Sequence, residues 1–364
     1  MFKLLNIDIS ISRDASCGMN SRVTLRDIAK VAKVHYSTVS LALRDHPRVS
    51  TDVKERIKSI AREMGYVPDP ALTALNAYRK TKLPVRYKST IAWIDTWQDE
   101  QEMLRDQPTF NEYFRGASER AQQLGYEIEE FSLYDNGMSP ERLSKILQNR
   151  GITGLLLPPL QTQSNRPPLD YEQFSTVCFG YSIAPHVFHL VTNHQSHSMI
   201  MALEEVAKLG YQKIGVYLHK YVDSKTDNAY ASGYWRFRQR HPERTHMDAC
   251  IVPYGESDQT ALSKWLKKSK PDVIISDTDE PTVEMLKDLG LKVPEDIGCA
   301  WLSLDPNDPI RSGVDQNGYL IGQTAIDFLV GMLQRGERGI PKPPIRMLAE
   351  GTWVSQGTLL PQRA

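Results

Sequence analysis

Residues 23–65, VTLRDIAKVAKVHYSTVSLALRDHPRVSTDVKERIKSIAREMG, hold three short helical patterns in under fifty residues. Thr24 is placed to cap the first helix, with Asp27 as the acid of a capping box. Leu25, Ile28, Ala29 and Ala32 then recur at helical spacing. The segment KVH (33–35) breaks the pattern, and YSTVSLALR (36–44) resumes it, with Val39, Leu41 and Leu43 as the apolar positions. Tyr36, Ser37, Thr38 and Ser40 are its polar ones. DHPRVS (45–50) reads as a loop ending in an N-cap, Ser50. A third helix lines up Val53, Ile57, Ile60 and Met64 on one face, and Gly65 stops it. The first two helices are joined by a turn of about four residues, the dimension of a helix-turn-helix. Periodicity alone fits a purely structural three-helix bundle equally well.

Charge separates these readings. The 364-residue chain is formally neutral, yet residues 1–88 carry 17 Lys+Arg against 8 Asp+Glu, and the remainder 27 against 36. A basic head on an acidic body points to a polyanionic partner for the head alone. Ser, Thr and Tyr at the start of the second helix can donate to phosphates and reach base edges in a major groove. Lys30, Lys33, Arg44 and Arg48 surround them.

Four widely spaced cysteines with no CxxC argue against a disulfide framework or a zinc ribbon and fit a reducing, cytoplasmic setting. The N-terminal stretch MFKLLNIDISISRDASCGMN is interrupted by Asn6, Asp8 and Asp14, so an unfolded tail over 1–20 is expected rather than a signal peptide. Met19 is an alternative start. No apolar run approaches the length of a membrane span.

Downstream of the head lies YVPDPALTALNAYRK (66–80). Asp69 and Pro70 can open a helix of two or three turns, too short to be stable alone, with Leu72 and Leu75 on an exposed face.

The stretch from Val23 to Leu72 closely resembles the DNA-binding head of the lac repressor/purine repressor family of bacterial regulators. The resemblance implies that Tyr36 and Ser37 read bases, while Thr24, His35, Thr38, Ser40, Ser50 and Tyr66 lie near phosphates. The next reading position, often Arg in the family, is Leu41, which can meet a thymine methyl but cannot pair with guanine. Lys33 replaces the Gly common in the family's turn. The weak helix matches the family's hinge helix, which orders when two subunits meet on DNA. Leu75, flanked by Asn76 and with Leu72 in the same helix, then falls at the leucine that wedges into the minor groove. A head over 21–67 and a hinge and linker over 68–88 follow.

Past Lys88 the pattern alternates strands and helices. IAWI, EIEEF, GLLLP, TVCFG, KIGVYL, DACIVPY, DVIISD and IGCAWL read as strands, with helical stripes such as FNEYFRGASERAQQLGY, SMIMALEEVAKLGY and ASGYWRFRQRH between them. The expected fold of 89–364 is α/β: two lobes of doubly wound parallel sheet with a ligand cleft at the carboxyl ends of the strands. This body resembles the same family's effector domain, which is related to periplasmic sugar-binding proteins. LGYQKIGV and GLKVPEDIG are typical family phrases. By position, the resemblance implies that Thr96, Trp97, Tyr230, Asp277, Ser303 and Gln316 grip a small, sugar-like effector. Three positions depart from the family: Tyr230 stands for a common Arg, Gly180 for a usual Asp, and Ser303 where an Asp is frequent.

Competing motifs are weak. FGYSIA (179–184) approaches the G-x-S-x-G nucleophile elbow at Ser182, but the residues after it carry no helical stripe. HVFHLVTNHQSH holds His186, His189, His194 and His197 at a spacing that matches no known metal site, so structural or surface roles are expected. No G-x-G-x-x-G follows the first strand. No enzyme activity, cofactor or metal is expected. The expectation is a cytoplasmic, sequence-specific regulator, a repressor binding double-stranded operator DNA of pseudo-palindromic sequence as a homodimer. The final residues EGTWVSQGTLLPQRA contain no heptad of the kind that builds the family's tetramers.

Overall fold

The computed structural model describes residues 23–43, 49–66, 89–97, 108–133, 138–244, 247–278, 283–305 and 307–362. The chain divides into two compact units, Met1–Leu75 and Asn76–Ala364.

The head contains α1 (Leu25–Ala32), α2 (Tyr36–Ala42) and α3 (Thr51–Glu63). Its core is Ile28, Ala29, Ala32, Val39, Ala42, Val49, Ile57 and Ala61. In α2 the second fully buried residue is Ala42, one turn after Val39, whereas Leu41 and Leu43 are only partly covered. The helical period, rather than the apolar count, decides which face turns inward. The Asp27 carboxylate accepts from both the Thr24 N–H at 3.0 Å and the Thr24 hydroxyl at 2.6 Å, which fixes the start of α1. Ser50 is the N-cap of α3 but makes no side-chain capping bond. Gly65, at φ +68°, ends α3, and Tyr66 N–H returns to the Ala61 carbonyl at 2.9 Å.

In the second unit the strands are β1 (Ser89–Asp95), β2 (Tyr126–Ser132), β3 (Gly154–Leu157), β4 (Ser175–Phe179), β5 (His189–Asn193) and β6 (Ile214–His219). They continue as β7 (Cys250–Val252), β8 (Val273–Ser276), β9 (Gly298–Trp301), β10 (Ser312–Asp315), β11 (Arg346–Ala349) and β12 (Thr352–Val354). The helices are α4 (Pro108–Leu124), α5 (Pro140–Asn149), α6 (Gln195–Lys208), α7 (Lys220–Lys225), α8 (Ala229–Arg240), α9 (Asp258–Ser269), α10 (Val283–Asp288) and α11 (Gly318–Arg335).

Two six-stranded sheets result, in the orders β11-β5-β4-β3-β1-β2 and β12-β10-β9-β8-β6-β7. Every pairing is parallel except β10 with β12. The strands β3, β4, β5, β6, β8 and β9 are buried along their whole length, which explains their unbroken apolar runs: helices cover both faces. The expected two-lobed α/β architecture is therefore present.

The chain passes between lobes three times, after β5, after β10 and between β11 and β12. The last third of this path, β10 through β12, has no counterpart among the strands and helices read from the sequence. The 18-residue α11 belongs to the first lobe although it follows a strand of the second, and it packs along α4. Gly116 and Gly322 allow that closeness, because a Cβ on either would collide with the facing carbonyl of Tyr319 or Tyr113. Among the described residues no helix is long and apolar enough to cross a membrane.

Candidate DNA-contacting face and effector cleft

The start of α2 presents His35, Tyr36 and Ser37 to solvent, with Tyr36 50% exposed. His35 caps the helix, and its Nδ1 lies 2.8 Å from the Ser37 hydroxyl, while its ring lies 4.5 Å from that of Tyr36. Three side chains of one turn thus form a shallow polar projection, stiffened by their own contacts. Thr38, Ser40 and Leu41 are half-buried behind it, Leu41 resting against the head core. Thr24 and Ser50 are exposed and Tyr66 is half-buried. The Thr24 hydroxyl is already engaged by Asp27, which lowers the Asp27 pKa. Lys33 closes the turn in the left-handed region, at φ +53°, where glycine is at home. Arg44, Arg48, Leu72, Leu75 and Asn76 lie outside the described residues.

In the second unit the predicted effector residues sit at strand ends, as the fold requires, but most already have protein partners. Asp277, at the end of β8, is 4% exposed. It accepts from the His219 backbone N–H at 2.9 Å, and its other oxygen lies 2.7 Å from His219 Nδ1. His219 Nε2 faces Asp258 Oδ1 at 2.6 Å, and the Tyr217 hydroxyl donates to the same oxygen at 2.9 Å. An imidazole is thus held between two carboxylates. Burial pulls its pKa down, but the hydrogen bonds and charges of Asp277 and then Asp258 outweigh burial and raise it.

The Tyr230 hydroxyl accepts from Gln316 Nε2 at 2.9 Å, and Gln316 also donates to the Leu302 carbonyl. Burial pushes the Tyr230 phenol well above its ordinary pKa, with Asp277 and Tyr113 adding to the effect. Trp97 donates its indole N–H to the Pro159 carbonyl at 2.9 Å and meets Phe110 edge-on. Thr96 Oγ1 is buried without a hydrogen-bond partner.

The lobes touch across the cleft. Thr109 Oγ1 lies 2.9 Å from Ser303 Oγ, His186 Nε2 lies 3.6 Å from Asp227, and Lys225 Nζ sits 5.8 Å from the Phe110 ring centroid. Burial lowers the Lys225 pKa, with the Asp277 charge opposing. The structure therefore brings Tyr230 and Gln316 into direct contact and sets Asp277 close enough to act on Tyr230 and Lys225. Thr96 and Trp97 belong to the first lobe's side. Sequence reasoning missed Phe110, His219 and Lys225. The rule that ligands gather at strand ends would have flagged His219, the last residue of β6; nothing local marks Lys225.

The competing motifs resolve plainly. Ser182 is 1% exposed and accepts the Leu160 N–H at 2.8 Å, and the chain after it runs as a loop into β5. His189 is buried within β5 and accepts the Ile345 N–H at 2.9 Å.

Residues 24–69 match the family model for bacterial regulatory proteins, lacI family. Over 195 residues the chain is 27% identical to the HTH-type transcriptional regulator MalR of Streptococcus pneumoniae, a match covering 53% of this chain and 56% of that one. The chain thus spans little more than half the length of that relative. Its fold is similar to that of the transcriptional regulator CelR in complex with cellobiose, with TM-score 0.58, 20% identity, and coverage of 93% of this chain and 100% of that one. It is also similar to the lac repressor dimer bound to operator and the anti-inducer ONPF, with TM-score 0.54, 18% identity and the same coverage. The head, residues 24–69, thus carries the sequence of the lacI family of bacterial regulatory proteins, and the two parallel-sheet lobes have a fold similar to that of these solved regulators.

Proposed function

We propose that the protein is a sequence-specific DNA-binding transcription regulator, a repressor that grips a pseudo-palindromic operator as a homodimer and answers to a small carbohydrate-like effector. The observation that carries this reading is the exposed His35–Tyr36–Ser37 projection at the start of the second helix of a helix-turn-helix, on the basic end of an otherwise acidic chain. A helix of this width fits the major groove, and lysines beside it supply the phosphate attraction. One head covers one half-site, so two chains imply symmetric DNA.

The effector reading rests on the cleft between the lobes. Trp97 and Phe110 belong to the first lobe's core cluster, and in this reading they would face a ligand's rings while Asp277, Tyr230, Gln316 and Ser303 supply donors and acceptors from the second lobe. The unpartnered Thr96 hydroxyl is a further group a hydroxylated ligand would satisfy. In this reading Leu72, Leu75 and Asn76 form the minor-groove element, and Thr24, Thr38, Ser40, Ser50 and Tyr66 lie along phosphates.

The test is selection of bound duplexes from random DNA with the full chain. Enrichment of an inverted repeat is the expected result; recovery of no palindrome would sink the reading.

A further inference from the structure

We propose that His194, His197 and Glu350 form a binding site for a divalent transition cation of the zinc type, bridging two of the three chain crossings between the lobes. His194 Nδ1 lies 3.0 Å from Glu350 Oε1, and His197 Nδ1 lies 3.1 Å from Oε1 and 3.3 Å from Oε2. One ligating atom from each of the three residues lies within 4.8 Å of the others. In a tetrahedral site with bonds of about 2.0 Å, neighbouring ligand atoms are about 3.3 Å apart. Each imidazole nitrogen is thus already close to that distance from the carboxylate.

The donor set also decides the metal class. Two imidazole nitrogens and one carboxylate suit zinc and its neighbours, whereas calcium and magnesium take oxygen ligands. Three protein ligands leave a fourth position for water. The imidazole rings are stacked, with centroids 3.7 Å apart and 29° between their planes, so the rings turn away from each other when both nitrogens ligate one cation. His194 and His197 side chains are 24% and 43% exposed and Glu350 is 58% exposed, so a cation reaches the site from solvent. His194 caps α6 and His197 lies in its first turn, where the helix dipole opposes a cation. The Glu350 charge offsets this.

The location gives the site a consequence. His194 and His197 belong to the crossing after β5, and Glu350 to the crossing between β11 and β12. The His194 N–H and the Asn193 side chain both donate to the Ala349 carbonyl, at 2.8 and 3.2 Å. From the third crossing, Asn317 Nδ2 donates to the Glu350 carbonyl at 2.8 Å. A cation there ties together segments that must shear when the lobes move, and so favours one lobe arrangement over another.

The experiment titrates untagged full-length protein with Zn2+ against a chromogenic chelator and follows melting with and without Zn2+. One equivalent per chain is expected, together with a rise in melting temperature. Glu350→Gln, on an exposed side chain, and His197→Ala should each weaken binding at least tenfold and abolish the rise. His241→Ala, at a separate surface His–Glu pair, should change neither. Co2+ in place of Zn2+ should give the visible absorption of a tetrahedral site in the parent only. If the parent fails to compete for Zn2+, or if Glu350→Gln binds it as tightly as the parent, the site does not exist.

Discussion

The head and the effector cleft use the same residue types in opposite ways. In the head, His35, Tyr36 and Ser37 are exposed, and their neighbours are one or two residues away. In the cleft, His219, Asp258, Asp277, Tyr230 and Gln316 are mostly buried and hold one another across 39 to 86 residues of chain. A polar group in water costs little to leave unmatched, whereas a buried one must find a partner. The head can therefore keep its polar side chains for an outside partner. The cleft keeps many of its own satisfied, so a ligand there has to displace or extend existing bonds.

Substitutions that cut each set of contacts test this contrast. The largest effect is expected at His219. Replacing it by Ala leaves the buried Asp277 carboxylate without its ionic partner, a change of about 3–5 kcal/mol in the stability of the second unit. Thermal unfolding followed by calorimetry measures it, and the head should be unaffected. The same residue sets a pH dependence. Its folded pKa is raised above 6.5, so its contribution is complete below that pH and is lost as pH rises through the folded value. Stability of the parent should fall over that window on this account, and the fall should be absent in His219→Ala. A parent curve identical to that of the variant would show that the imidazole is not charged between its two carboxylates.

On the head side the next effect is at Leu75. In the role of minor-groove wedge proposed for it, Leu75 would act through deformation of the duplex, so Leu75→Ala should weaken operator binding by a few kcal/mol, about 10- to 1000-fold, with a smaller change on random DNA. Bending assays with permuted sites should show a straighter complex. Equal bending and equal affinity would make residues 69–77 an ordinary linker.

Tyr36→Ala should cost about 1–3 kcal/mol of discrimination between operator and random duplex, and leave both the bend and the head's melting temperature unchanged. A large drop in melting temperature would move Tyr36 from the DNA face to the fold, and would blur the contrast with the cleft.

The smallest effect concerns Lys33. Its backbone is left-handed, which for a residue with a Cβ costs about 1–2 kcal/mol. Lys33→Gly relieves this but loosens the unfolded chain, so a net gain of about 1 kcal/mol or less in head stability is expected from denaturant unfolding. The same change removes a positive charge beside the DNA face, and the salt dependence of DNA binding should become shallower.

By itself, the sequence determined whatever is set by neighbours. The capping acid Asp27, the stop at Gly65, the positions of the three head helices and the alternation of strands with helices are all local patterns, and each appears where it was read, although the inward face of the second helix is set by Val39 and Ala42 rather than by Leu41 and Leu43. Strand β7 covers only Cys250–Val252 of its apolar run and ends before Pro253, which has no backbone N–H to donate to a ladder. What the sequence left unread lies where distant segments meet. Helix α11 has no counterpart among the elements read from the sequence, and only the tertiary structure assigns it to the first lobe, against α4. The pairing of Asp277 with His219, and of Glu350 with His194 and His197, joins residues 58, 156 and 153 positions apart. No periodicity reaches over such distances. The first contact exists because β6 and β8 are neighbours in one sheet, the others because two crossings of the chain run side by side, and buried or crowded polar groups then take the partners that the packing brings within reach.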